Sequence, residues 1–124
     1  MTDILNESDI KWLVDEFYKK VIVDPAIGFI FNDVVKLSWE KHIPVMYSFW
    51  SSLLLGTSTY TGNPMVKHME LDKKVALTKV HFDRWLNLWD VTVNENFKGV
   101  NADEARTRAR HIAGIMLFKI EQSR

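Results

Sequence analysis

Four histidines, three tyrosines and five tryptophans are the residues of this 124-residue chain best suited to ligate a metal or aim a proton at a small ligand, and no cysteine joins them. His42 and His68 stand just outside the two ends of a stretch, Ile43 to Val66, that carries no formal charge, although 26% of the chain is charged. An uncharged helix with a histidine at each flank and aromatics among its apolar positions has the composition needed to enclose a flat, apolar, metal-bearing cofactor. Without cysteine there is no thiol nucleophile, zinc ribbon or disulfide framework. The histidines form no close pair at ligand spacing, which disfavours a zinc site. Each candidate also has a plain reading. A lone helical histidine is usually a hydrogen-bonded core or surface residue, Tyr18 can be the hydroxyl-bearing end of a core stripe, and the run Arg106, Arg108, Arg110 reads as a partly solvated helix surface.

The elements that must position these residues are all helical. Ile10, Leu13, Val14, Phe17, Tyr18 and Val21 fall at helical spacing, with Asn6 or Ser8 available as N-cap and Asp9 in the first turn. That helix should stop before Pro25, and Asp24 can cap a short piece opening at the proline. A further helix is expected from about Ser38 or His42 to Leu55, closed by Gly56 in a left-handed cap, with Pro44 disturbing its first turn. Trp39, His42, Ile43, Met46, Trp50, Leu53 and Leu54 share one face of it. Asn63 and Pro64 suit the start of a short helix carrying His68. Thr78 should cap a helix with Phe82, Trp85, Leu86, Trp89 and Val93 as its buried stripe. Asn101 and Glu104 resemble a capping box opening the last helix, striped by Ala105, Arg108, Ala109, Ile112, Met116 and Ile120. No stretch alternates over strand length, so the fold class is all-α.

Composition sets the outer limits. A chain of this length with 47% hydrophobic residues is long enough for one core and too short for two domains, so residues 1–124 are expected to form a single domain. Sixteen basic residues balance sixteen acidic ones, leaving no electrostatic footprint for nucleic acid or an anionic membrane. The apolar run Val45 to Leu55 is interrupted by serines and falls far short of the ~20 residues a membrane span requires. The first residues lack the basic-then-apolar order of a secretory signal, and a cytoplasmic location is the expectation.

Several segments together carry a family resemblance: Phe17-Tyr18, Gly28 to Asn32, His42 to Trp50, Leu54-Leu55-Gly56, Tyr60 to His68, and His81-Phe82-Asp83-Arg84-Trp85. In this order and spacing they resemble the truncated haemoglobins of the third group, over about residues 8 to 120. The paired glycines of the other two groups are missing. The resemblance implies a truncated globin fold, a two-over-two helical sandwich around haem b, iron protoporphyrin IX. It makes His68 the proximal iron ligand and turns Tyr18 and Trp85 toward a bound gas, with His42 at the distal entrance. Phe31 then packs on the haem plane, Met46, Trp50 and Phe82 belong to the cofactor pocket, and Lys67 pairs with a propionate.

The chemistry implied is reversible binding of dioxygen, with nitric oxide and carbon monoxide as further ligands. A neutral imidazole as fifth ligand leaves the opposite iron position open. Dioxygen held there gathers negative charge, so a Tyr18 O–H and a Trp85 N–H aimed at it favour retention over carbon monoxide. Tight retention suits a poor carrier in oxygen transport and points to scavenging, sensing or redox chemistry. The enzymatic alternative is nitric oxide oxidation or a peroxidase-like reaction assisted by His42 and Tyr18; no reductase domain is fused to the chain, so electrons would come from a separate reductase. A third reading is a cofactor-free helical interaction domain.

Overall fold

The computed structural model describes residues 1–30, 39–57, 72 and 76–123. Four helices run through them: α1 (Glu7–Val21), α2 (Trp39–Leu55), α3 (Lys79–Asn96) and α4 (Val100–Gln122). The short helix expected around Asn63 to His68 lies outside the described residues. Helix α1 lies against both α2 and α3, α3 runs along α4, and α2 meets α4 over a short length. Among the described residues no helix is long and apolar enough to cross a membrane.

Local chemistry explains the helix ends. Asn6 caps α1, its side chain accepting from Asp9 N–H at 3.0 Å, and Glu7 and Asp9 sit at the positive end of the helix dipole. The helix stops at Val21, ahead of Pro25, and Asp24 Oδ2 accepts from the N–H groups of Ala26 and Ile27 at 3.0 and 3.1 Å to cap the turn that follows. Helix α2 accommodates Pro44 inside its length and ends ahead of Gly56, whose φ of 68° is the expected left-handed cap. Thr78 is the N-cap of α3, and His81 supplies the reciprocal bond in place of the usual glutamate or glutamine: its Nδ1 accepts from Thr78 N–H at 3.2 Å.

The core follows the expected stripes with two corrections. Ile10, Leu13, Val14, Phe17, Tyr18 and Val21 are all buried on α1. On α3, Phe82, Trp89 and Val93 are buried, while Trp85 and Leu86 are half-buried. On α4 the buried residues are Ala102, Ala105, Ala109, Ala113, Met116 and Ile120, and Arg108 instead lies at the surface, paired with Glu104 at 3.0 Å. Four alanines along one stripe leave no bulk between backbones, so α4 can approach its neighbours closely.

The second correction concerns the start of α4. The helix opens at Val100, before Asn101, and its cap comes from the far end of the chain. Asp3 Oδ2 accepts from Asn101 N–H at 2.9 Å and Asp3 Oδ1 from Ala102 N–H at 2.8 Å. Asn101 Nδ2 returns a bond to the Ile4 carbonyl at 2.7 Å, and Ile4 is fully buried. Gly99 makes this possible: its φ is 148°, and a Cβ there would stand 2.5 Å from Asp3 Cγ. Asp3→Ala should therefore cost about 1–2 kcal/mol through the lost cap, and Gly99→Ala about 1–3 kcal/mol through backbone strain. Urea denaturation of the two single variants and the double should show a total smaller than the sum, because Gly99→Ala already displaces Asp3.

Candidate distal pocket

Tyr18 and His42 come together from facing helices. Tyr18 occupies the last turn of α1 and is only 9% exposed. His42, half-buried near the start of α2, places Nε2 3.3 Å from the Tyr18 hydroxyl, with the two rings edge-on at 5.5 Å between centroids. Burial pushes the Tyr18 phenol well above its ordinary pKa of 10.0. The hydroxyl thus keeps its proton throughout the physiological range and can donate it in a hydrogen bond.

Aromatic packing brings Trp85 into the same neighbourhood. Phe17, 1% exposed, meets Tyr18 at 5.0 Å, Trp85 at 5.6 Å and Trp89 at 5.0 Å, each edge-to-face. Trp85 is parallel to Trp89 at 6.1 Å, and Trp89 stacks on Trp50 of α2 at 4.2 Å. Trp89 is pinned by its own indole N–H, which donates to the Ala105 carbonyl of α4 at 3.0 Å. Among the described residues no acceptor pairs with the Trp85 indole N–H, which leaves that donor for something else. Trp50 and Phe82 are buried, and Met46 packs half-buried against the core. His68, Lys67 and Phe31 lie outside the described residues. His81 serves as a helix cap and His111 is exposed, which accounts for both without ligation.

Two interactions at this site have no local signature in the sequence. The Tyr47 hydroxyl donates a short hydrogen bond to Asp15 Oδ1 across 32 residues, joining α2 to α1. Burial, and then this bond and the carboxylate charge, push Tyr47 up to about 12. Asp24 Oδ1 receives Arg84 Nε at 2.7 Å and Nη2 at 2.6 Å across 60 residues. That pair ties the turn after α1 to the residue preceding Trp85. Only the pairing of opposite charges along the sequence hinted at either, and many such pairs exist.

A family model described as bacterial-like globin matches residues 3–118. The chain belongs to that family. Among its relatives, the group 3 truncated hemoglobin of Campylobacter jejuni is 32% identical over 124 residues, covering 94% of each chain. The crystal structure of the group III truncated hemoglobin from Campylobacter jejuni superposes with a TM-score of 0.84 at 27% identity, covering 97% of this chain and 95% of that one. The all-α truncated globin fold and the third-group resemblance read from the sequence both hold. Membership of a globin family implies haem and a small diatomic ligand.

The described residues fit such a group. The inner face of α2 presents Ile43, Met46, Phe49, Leu53 and Leu54 packed against the core yet only partly buried, an apolar surface that a flat macrocycle can cover. Beside it stand a neutral buried phenol, an imidazole and an indole N–H without an acceptor among the described residues, a donor set suited to an uncharged gas that becomes polarised on binding.

The Asp24–Arg84 pair predicts how acid affects this region. Burial alone would raise the Asp24 carboxyl, but Arg84 and the N–H groups of Ala26 and Ile27 outweigh it and hold the folded-state pKa below 3.8. A depressed carboxylate stabilises the fold above its unfolded pKa, and that contribution is lost as pH falls through the folded value. Asp24→Asn should cost about 1–3 kcal/mol near neutrality. In urea titrations from about pH 7 to pH 3 the gap between parent and variant should close below about pH 4; a gap of constant size would show that the carboxylate charge is not what matters.

Proposed function

We propose that this chain binds haem b through His68 and reversibly holds dioxygen in a polar distal pocket formed by Tyr18, His42 and Trp85, with nitric oxide and carbon monoxide as alternative ligands. The observation that supports this most strongly is the Tyr18–His42 contact, two polar groups meeting between facing apolar helices at 3.3 Å. A hydroxyl in a helical core has no packing advantage over Phe, and burying it costs free energy unless it is used.

When bound, haem iron supplies one open coordination position for the gas. The chain's own residues determine how long the gas stays. Tyr18 offers an O–H that burial keeps protonated, and Trp85, on the other side of the Phe17 ring, offers an N–H. Each donates to electron density that gathers on dioxygen, contributing about 1.5–3 kcal/mol, or roughly tenfold to over a hundredfold in release rate. Carbon monoxide gathers less charge and gains less. His42 stands against Tyr18 at the α1–α2 boundary, where it holds the phenol in place and closes the pocket. His68 is the proximal ligand in this reading, Lys67 the propionate partner, and Phe31, Met46, Trp50 and Phe82 complete the apolar walls.

The same pair supports a second reading, a peroxidase-like reaction. Cleaving an O–O bond needs a group that moves a proton between the two oxygens, and an imidazole 3.3 Å from a phenol can do this.

Stopped-flow oxygen release tests the leading reading. Tyr18→Phe should accelerate release about tenfold or more, with carbon monoxide binding changing less. Tyr18→Phe combined with Trp85→Phe should exceed either single variant, with a total that is not the sum, because both donors share one acceptor. Release at the parent rate from the double variant would remove both residues from the mechanism. His68→Ala should abolish stable haem uptake; a five-coordinate ferrous spectrum unchanged from the parent would place the ligand elsewhere.

A further inference from the structure

One cleft of the molecule faces away from the proposed gas pocket. It lies between α1 and α2, has a volume of about 340 Å³, and is walled by Ile10 and Pro44 on its apolar sides. Glu7 and Lys11 line its mouth, cancelling in charge, with the Lys11 ammonium 5.9 Å from the centre of the Tyr47 ring. Ser51 lines it too, is 4% exposed, and its hydroxyl oxygen is buried without a hydrogen-bond partner among the described residues. Buried polar groups are nearly always satisfied, so an orphaned hydroxyl at a cleft wall marks a place where a ligand can supply the missing bond. Tyr47 also lines this cleft, hydrogen-bonded to Asp15.

Behind Tyr47 runs an aromatic series. Trp50 is three residues further along α2 and therefore a neighbour on the same helix surface. Trp50 stacks on Trp89 at 4.2 Å with planes 21° apart, and Trp89 is parallel to Trp85 at 6.1 Å and 4°. Overlapping π faces give continuous electronic contact from Trp85, in the proposed distal pocket, to Trp50. From there one helix turn separates the stack from a phenol that already has a carboxylate placed to take its proton.

We propose that the α1–α2 cleft binds a small neutral phenol as one-electron donor, and that its electron enters the haem pocket through Tyr47, Trp50, Trp89 and Trp85. This rests on the haem reading above and names the reductant class for its peroxidase-like reaction. In that reaction an alkyl hydroperoxide takes two electrons and two protons, its O–O bond breaking to give an alcohol and water. The two electrons are restored one at a time. In each pass Tyr47 gives up one electron to Trp50 and its phenolic proton to Asp15, and the phenol in the cleft then returns a hydrogen atom's worth of charge, leaving a phenoxyl radical. The balance is one hydroperoxide and two phenols to one alcohol, one water and two phenoxyl radicals. Tyr47 and the tryptophans end unchanged, and the proton released to Asp15 serves the reduction.

Radical trapping on the haem-loaded protein tests this. Haem uptake is measured first, from the Soret band of every sample. Each sample is then treated with tert-butyl hydroperoxide and a nitrone spin trap, and the adducts are mapped by peptide mass spectrometry. The parent should carry its main adduct on Tyr47. Trp89→Phe and Trp50→Phe should each lower that adduct at least fivefold and move label to Trp85; the two are made together so that loss of folding in one leaves the other to decide. Trp12→Phe, which alters an exposed tryptophan outside the series, should change nothing. Adding 4-methoxyphenol should suppress the Tyr47 adduct in the parent, and Ser51→Phe, which fills the cleft, should keep the adduct but lose the suppression. A Tyr47 adduct undiminished in either tryptophan variant, or suppression that survives Ser51→Phe, would overturn the proposal while leaving haem binding intact. A parent with no Soret band would instead overturn the haem reading, and this proposal with it.

Discussion

Phe17 is the side chain through which the helices and the site depend on one another. Nearly excluded from solvent, it has aromatic partners on its own helix and on α3, with Tyr18, Trp85 and Trp89 all edge-on to it. Removing its ring would open a cavity at the junction of α1 and α3, typically at a cost of about 3–5 kcal/mol for a buried phenylalanine. It also fixes a direction. With Phe17 locked into the core, the adjacent Tyr18 is rotated about 100° around α1 and meets His42 of α2. The core therefore aims the functional residue, and stability and pocket geometry cannot be varied independently here.

The price of that arrangement is a buried hydroxyl. Tyr18 is held in an environment that strongly disfavours its charged form, so what survives is a neutral donor. Tyr47 shows the contrasting use of the same side chain on the opposite side of α2. There the phenol meets a carboxylate, at a cleft between the two helices. One tyrosine is placed to give a hydrogen bond and keep its proton, the other to part with it. The tryptophan stack between them is anchored at its centre by the Trp89–Ala105 bond, so α4 braces both sites.

Much of this was legible from the chain. Helical spacing fixed the α1 stripe through Phe17 and Tyr18, the Asn6, Asp24 and Thr78 caps and the Gly56 terminus, because each depends on residues within one or two turns. The order of segments from Phe17 to Trp85 carried the family. What escaped were long-range partners: Asp3 capping α4 from 98 residues away, Arg84 meeting Asp24, Asp15 meeting Tyr47. The capping box expected at Asn101 failed for the same reason, since the local pattern was present but a carboxylate from the N-terminal segment reached the N–H groups first. Arg108 fell on an apolar stripe by spacing, yet its guanidinium keeps its hydration and an i,i+4 glutamate by staying at the surface.

The central claim is that Tyr18 and Trp85 donate to one ligand in one pocket. The infrared C–O stretch of carbon monoxide bound to the ferrous, haem-loaded protein reads that field directly, since a donor near the outer atom strengthens back-donation and lowers the frequency. The account predicts that the band moves up in Tyr18→Phe, moves up again when Trp85→Phe is added, and responds to His42→Leu through a change in band shape as the phenol loses its support. A band at the parent frequency in the double variant would contradict it.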